Sequence, residues 1–426
     1  MGGGILFLPM SRRLTLLLAP VAVASLLAAP ESMDKTPSNF GGDAAFLQKH
    51  ADAIVLRRGD AAVAVAAAYQ GRVMTSTATG DGGTSYGWLN YKLIGKGVVP
   101  PEEAEGTLES KIHVFGGEER FWLGPEGGQF GIFFAPGAKF DFADWKTPAG
   151  IDTEPFDVAS SNDTQAVFRR SFSVTNQSGT KFDVGVERTV RLLDRAQTEQ
   201  ALDVTIPGDL PFVAYETVNT ITNRGKNAWE ADTGLLSVWI LGMYKPSPST
   251  VVAIPFLEDG EGPVVNDAYF GEISSDRLKI GQGVVFFKGD GASRGKIGIA
   301  PARATPFAGS YSPDLGALTV VRCDAPAKDG RYVNSMWEKQ KDPYAGDVIN
   351  AYNDGSPAPG EPPLGPFYEL ETSSPGAELA PGASLTHRQI TAHFAGQSGQ
   401  LDPIAKAKLG AGIAEICDAF KNAKPE

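Results

Sequence analysis

Between residues 53 and 398 the chain repeats one pattern. Short runs rich in Val, Ile, Phe, Tyr and Thr alternate with turns carrying Gly, Asp, Asn or Pro. AIVLRRGDAAVAVAAAYQGRVMTSTATG predicts strand, turn at Arg58–Asp60, strand, turn at Gln70–Gly71, strand. SVTNQSGTKFDVGVERTV predicts a hairpin around a Gly-containing turn. The rhythm continues through GQFGIFFAPG, FVAYETVNTITNRG, LLSVWILGMY, GQGVVFFKGD and ALTVVRCDA. No strand–helix alternation supports a doubly wound sheet or barrel, and no fixed period supports a solenoid or propeller. The predicted fold is all-β, a large antiparallel β-sandwich over residues 53–398.

Helical spacing occurs only at the flanks. DAAFLQKHA predicts a short helix behind a polar linker, together covering residues 30–52. Leu409, Ile413, Ile416 and Phe420 predict one C-terminal helix within 399–426, packing on the sandwich. Residues 1–29 read as a signal peptide. Arg12 and Arg13 precede an apolar run from Leu14 to Leu27, and Ala28 and Ala29 follow. The run is short for a membrane anchor and contains Pro20. The mature chain is expected in the periplasm or secreted, with no integral membrane segment after leader removal.

Composition narrows the function. Fifty Gly and thirty Pro fit many short strands joined by turns. A formal net charge of −12, with no Lys/Arg stripe, argues against a nucleic-acid partner. Cys323 and Cys417 are the only cysteines, too few for a zinc cluster, and whether they pair is open. Nucleophile-elbow, P-loop and HExxH motifs are absent.

The candidate chemistry centres on FYELETSSP, residues 367–375. In a strand Glu369 and Glu371 share one face, about 7 Å apart. In a dry cleft one carboxylate raises the other's pKa, which suits acid–base work. His387 and His393 share a face of the following strand but sit about 20 Å apart, too far to hold one ion together. The Pro-Gly turn before that strand predicts that one of them lies near the glutamates. Asn334–Gly355 is polar and turn-rich and reads as a surface loop. Trp337 and Tyr352 could stack on sugar rings, while Lys339, Asp347, Asn350, Asn353 and Asp354 bond hydroxyls. The same oxygens are of the type that binds Ca²⁺, but their spacing departs from the EF-hand, so no cofactor is predicted. SKIHVFGGEERFWLGPEGGQFG adds His113, Arg120, Trp122 and Glu126 as cleft contacts.

FYELETSSP followed by ELAPGASLTHRQITAHF resembles the C-terminal signature of the aldose 1-epimerase (galactose mutarotase-like) superfamily. AAVAVAAAYQGRVMTST resembles its opening strands, and ETVNTITNRGKNAWEADTGLLSVW its central strand with a Thr-Asn pair. The resemblance points to an uncharacterised bacterial secreted branch. It implies the galactose mutarotase-like supersandwich, with a sugar cleft on its concave face and a carbohydrate ligand. It implies that Glu371 is the base that deprotonates the anomeric hydroxyl. The family's usual acid is a His soon after the Thr-Asn strand, and Thr222–Met243 contains none. The acid is therefore unassigned. An epimerase or mutarotase-like activity stands beside a non-catalytic carbohydrate-binding role, a glycoside hydrolase or lyase on the same fold, and a structural envelope role.

Overall fold

The computed structural model describes residues 39–358 and 360–421. The predicted leader, and the linker ahead of the first helix, lie outside the described residues. A helix at Phe40–Ala51, capped by the Asn39 side chain, leads into the first sheet.

Turn chemistry shapes that sheet. Strand β1 (Ala53–Arg58) ends at Gly59, with φ of 59°, before β2 (Ala61–Ala66). Gln70 and Gly71, both left-handed, turn the chain into β3 (Arg72–Thr77). A Cβ on Gly71 would lie 2.6 Å from the Phe168 ring, so only glycine fits there.

The remaining strands form two larger antiparallel sheets. In chain order they are β4 (Arg120–Gly124), β5 (Asp157–Asn162), β6 (Gln165–Thr175), β7 (Lys181–Leu192), β8 (Phe212–Asn223) and β9 (Ser237–Tyr244). Next come β10 (Val251–Pro255), β11 (Leu278–Ile280), β12 (Val284–Lys288), β13 (Gly295–Ile299), β14 (Phe307–Ser312) and β15 (Ala317–Cys323). The last are β16 (Ile349–Asn353), β17 (Tyr368–Ser373) and β18 (Ser384–Ala395). The ten-stranded sheet runs β11-β12-β10-β14-β15-β18-β8-β7-β6-β5, and the five-stranded sheet runs β13-β16-β17-β9-β4. The antiparallel all-β architecture is as predicted, and the predicted hairpin is β6–β7.

Strand alternation gives the five-stranded sheet two faces. Ile297, Ala351 and Leu370 occupy one row across β13, β16 and β17 and point at the ten-stranded sheet. There they meet Val252, Ala308 and Val321. Burying each large aliphatic side chain stabilises the sandwich by roughly 1.5–3 kcal/mol. The neighbouring row, Lys296, Tyr352, Glu369 and Met243, faces the other way.

Two expectations are corrected. The single C-terminal helix is two, Ser398–Leu409 and Ile413–Asp418, because Gly410 turns left-handed between them. Both pack on the outer side of the ten-stranded sheet, with Leu401, Ile404, Ile413 and Ile416 against Phe286, Val320 and Phe394. The stretch 334–355 is not wholly a loop, since its end is the buried strand β16. Cys323 is buried, Cys417 is half-buried, and both are free thiols. No helix among the described residues is long and apolar enough to cross a membrane.

Candidate functional site

Strand register builds the site. On the face turned away from the ten-stranded sheet, β17 presents Glu369, Glu371 and Ser373. β16 adds Asn350 and Tyr352, β13 adds Lys296, β9 adds Trp239, and β4 adds Arg120 and Trp122. These residues come from five strands, yet alternation turns them all to one side.

The two glutamates have different surroundings. Glu371 Oε2 accepts from Lys296 Nζ at 2.8 Å and from Trp239 Nε1 at 2.9 Å. Glu369 has only an ion pair, Oε1 to Arg120 Nη2 at 3.6 Å. Burial, reinforced by the Glu371 charge, pushes the Glu369 carboxyl up to about 8, against the pull of Arg120 and Lys296. Arg120 stacks 3.8 Å above the Trp122 ring, and burial lowers its pKa. Lys296 Nζ lies over the Trp239 ring at 4.8 Å and the Tyr269 ring at 5.4 Å.

Loops cover this face. Glu126 follows β4, and its Oε1 accepts from Trp145 Nε1 at 2.9 Å. Burial raises the Glu126 pKa, Lys296 lowers it and Glu371 raises it, so all three groups share one field. Trp122 Nε1 donates to the Ile151 carbonyl at 3.1 Å. Asp347, just before β16, accepts from Asn266 and Tyr269, and burial raises its pKa. The remaining space, lined by Ser237, Trp239, Tyr269, Lys296, Asn350 and Ser373 among others, is about 20 Å³. That admits a water, while small-molecule pockets run to roughly 300 Å³ and above.

Five buried polar atoms at this site have no hydrogen-bond partner: Arg120 Nε and Nη1, Ser237 Oγ, Glu369 Oε1 and Glu371 Oε1. Buried polar groups are usually satisfied, so five such atoms on one face stand out.

The structure gathers Glu369, Glu371, Arg120, Trp122, Asn350 and Tyr352 on one face, with Asp347 and Trp337 at its cover. Trp337 is half-buried and stacks on Trp145 with ring centroids 5.9 Å apart. The other expected residues lie elsewhere. His387 and His393 do not approach the glutamates, because β18 pairs with β15 and β8 in the ten-stranded sheet. His387 Nε2 meets Thr372 Oγ1 at 2.9 Å, on the opposite face of β17 from Glu371. Burial drives the His387 pKa down to about 4. His393 Nε2 bonds Glu118 at 3.0 Å inside the sandwich.

His113 is structural. Val99 N donates to its Nε2, so its Nδ1 carries the proton and donates to Asp152 at 3.0 Å. Asn353 points away from the glutamates, bonding Asp290 and the Ser293 carbonyl. Asp354 holds the Tyr352 hydroxyl and the Gly365 amide. Lys339 is exposed. Among the described residues no group of three His, Cys, Asp or Glu side chains is arranged to hold a metal ion. Sequence reasoning missed Lys296, Trp239, Tyr269 and Trp145. Glu126 carried a legible signal, a carboxylate in a Gly-rich aromatic segment.

A family model described as Family of unknown function (DUF6786) matches residues 38–420, and the chain belongs to that family. No curated protein matches the chain. Among solved structures, it is similar to a provisionally named aldose 1-epimerase from Escherichia coli K12, at 13% identity and a TM-score of 0.47, covering 80% of this chain and 98% of that one. It is also similar to a galactose mutarotase-like protein from Lactobacillus casei, at 12% identity and a TM-score of 0.42, covering 80% and 99%. A galactose mutarotase related enzyme from Lactobacillus acidophilus aligns at 9% identity and a TM-score of 0.39, covering 81% and 97%.

Proposed function

We propose that this DUF6786 chain is an exported carbohydrate-processing protein that moves protons at a sugar's anomeric centre. Glu371 is the base and Glu369 the acid. The observation that carries this reading is the asymmetry of the pair. Two carboxyls on one strand face sit in different surroundings. Glu371 accepts two N–H donors through one oxygen, as a carboxylate does, and keeps the other oxygen free. Glu369 keeps its proton at neutral pH because burial and its neighbour's charge oppose ionisation.

The chemistry balances with these two groups. Glu371 takes the proton of the anomeric hydroxyl while Glu369 delivers one to the ring oxygen. The bond between the anomeric carbon and the ring oxygen breaks, leaving an open-chain aldehyde. Rotation of the aldehyde and the reverse transfers close the other anomer. Both oxygens belong to one carbon, so donor and acceptor can work from one side of the ring. This arrangement supplies the acid that the His-free central strand lacks.

Polarimetry on a panel of aldoses tests the reading, comparing wild type with Glu371→Gln. Loss of a general base is worth roughly 100- to 10,000-fold in rate. Turnover unchanged by the substitution would remove Glu371 from the mechanism. Binding without turnover in the wild type would select the non-catalytic carbohydrate-binding reading, and release of new reducing ends from glycosides would select hydrolysis. Export is checked separately, by the N-terminal residue of the mature protein.

A further inference from the structure

Among the described residues the two exposed aromatic side chains of the large apolar set are Phe142 and Phe270, at 54% and 47% exposure. Both join the candidate site through ring contacts. Phe142 stacks on Trp145 at 5.9 Å with planes 18° apart, and Trp145 bonds Glu126. Trp145 in turn stacks on half-buried Trp337, planes 23° apart. Phe270 follows Tyr269, which covers Lys296, and meets Tyr352 edge-on at 5.9 Å. The Arg294 guanidinium lies 3.9 Å from the Phe270 ring centre.

The two arms reach the site from different edges. Trp145 is tied to the segment after β4, whereas Phe270 contacts β16. In the order β16-β17-β9-β4 those strands are three spacings apart, about 14 Å, and β17 with its two glutamates lies between them. That span exceeds a single pyranose ring. A flat aromatic face that is open to water is available to stack on a ligand. Flat apolar faces suit the C–H faces of sugars, and Arg294 offers planar donors for hydroxyls.

We infer that the site takes an oligosaccharide rather than a free monosaccharide, with Phe142 and Phe270 as stacking subsites on either side of the glutamate pair. This rests on the carbohydrate reading of the same face. The substrate class is then a neutral glycan chain or branch whose reacting unit sits over Glu369 and Glu371 while neighbouring units lie on the rims.

Isothermal titration tests this on the whole mature protein with glucose, galactose, maltotetraose, cellotetraose and a β-galactotetraose. At least one tetrasaccharide is expected to bind ten-fold or more tighter than its monosaccharide. Phe142→Ala and Phe270→Ala are each expected to weaken that tetrasaccharide about three- to tenfold. Both positions are exposed, so the variants should fold, and circular dichroism verifies it. Monosaccharide and tetrasaccharides binding equally, or a tetrasaccharide advantage that survives both substitutions, would overturn the inference and leave the sugar site standing. Absence of binding by every sugar would overturn both.

Discussion

Two clusters of buried charge flank β17, and they are built to opposite rules. Inside the sandwich Glu118 accepts from the Ser76 amide and hydroxyl, from Tyr215 and from His393. Glu119 takes Arg188 on one oxygen at 2.9 Å and Gln389 on the other at 3.0 Å. Arg188 also donates to Gly71 and Asn219, so its whole fork is used. On the far face of the sheet the guanidinium of Arg120 leaves two nitrogens without a hydrogen bond, and each glutamate has one oxygen in the same state. Each such orphan costs about 1–3 kcal/mol. In that interior network both carboxylates and all three Arg188 nitrogens are partnered, although the neighbouring Tyr244 hydroxyl is not. The far face leaves more of its charged groups without a hydrogen bond, a difference that burial alone does not show.

Removing one arginine from each cluster breaks or sharpens this contrast, and it is the largest effect expected. Arg188→Met strands a buried Glu119 carboxyl and should cost about 3–5 kcal/mol in urea unfolding. Arg120→Met strands much less, because Glu369 beside it holds its proton at neutral pH. Its cost should be smaller by at least about 2 kcal/mol. Equal losses would show that both clusters are structural.

The histidines supply the next test. His387 donates from Nε2 to Thr372, whose hydroxyl in turn donates to the Gln389 amide oxygen at 2.7 Å. Burial lowers its pKa from 6.5 to about 4, partly offset by Asp324. The native state thus refuses a proton that the unfolded chain accepts, and stability falls as pH drops from 6.5 toward 4. One proton gives about 1.4 kcal/mol per pH unit, up to about 3 kcal/mol over that window. His387→Gln keeps a donor without titrating, so its acid limb should be shallower by that slope. An identical limb in the variant would show that His387 is not the titrating group.

How far these clusters are legible in sequence depends on the distance over which the deciding interaction acts. Strands and hairpins show because period two and Gly turns are local. The common face of Glu369 and Glu371 shows for the same reason. Lys296 and Trp239 do not, since they meet Glu371 across 75 and 132 residues through strand pairing that no local pattern encodes. The same blindness places the histidines wrongly, because a Pro-Gly turn suggests that β17 and β18 pair while the chain crosses between sheets. Asn353 is different. It is an odd number of positions from Asn350 and from Tyr352, so alternation alone could have removed it from a face shared with Tyr352. The break at Gly410 was likewise readable as a helix stop.

The last test concerns Glu369 itself, and it probes the far face without dismantling anything. Its carboxyl is raised from 4.5 to about 8, so the proton that the proposed mechanism draws on is present below that pH and lost above it. Activity should fall about tenfold per pH unit on the alkaline side of about 8. Stability should also decline as pH rises from 4.5 to about 8, because the native state holds a proton that the unfolded chain has released. Arg120 and Lys296 both pull this pKa down, so a slow but active Arg120→Met enzyme should carry its alkaline limb at higher pH. Glu369→Gln should lose most activity and abolish that limb. A limb that stays in place in both variants would belong to another group, and the asymmetry between the two glutamates would then have no catalytic meaning.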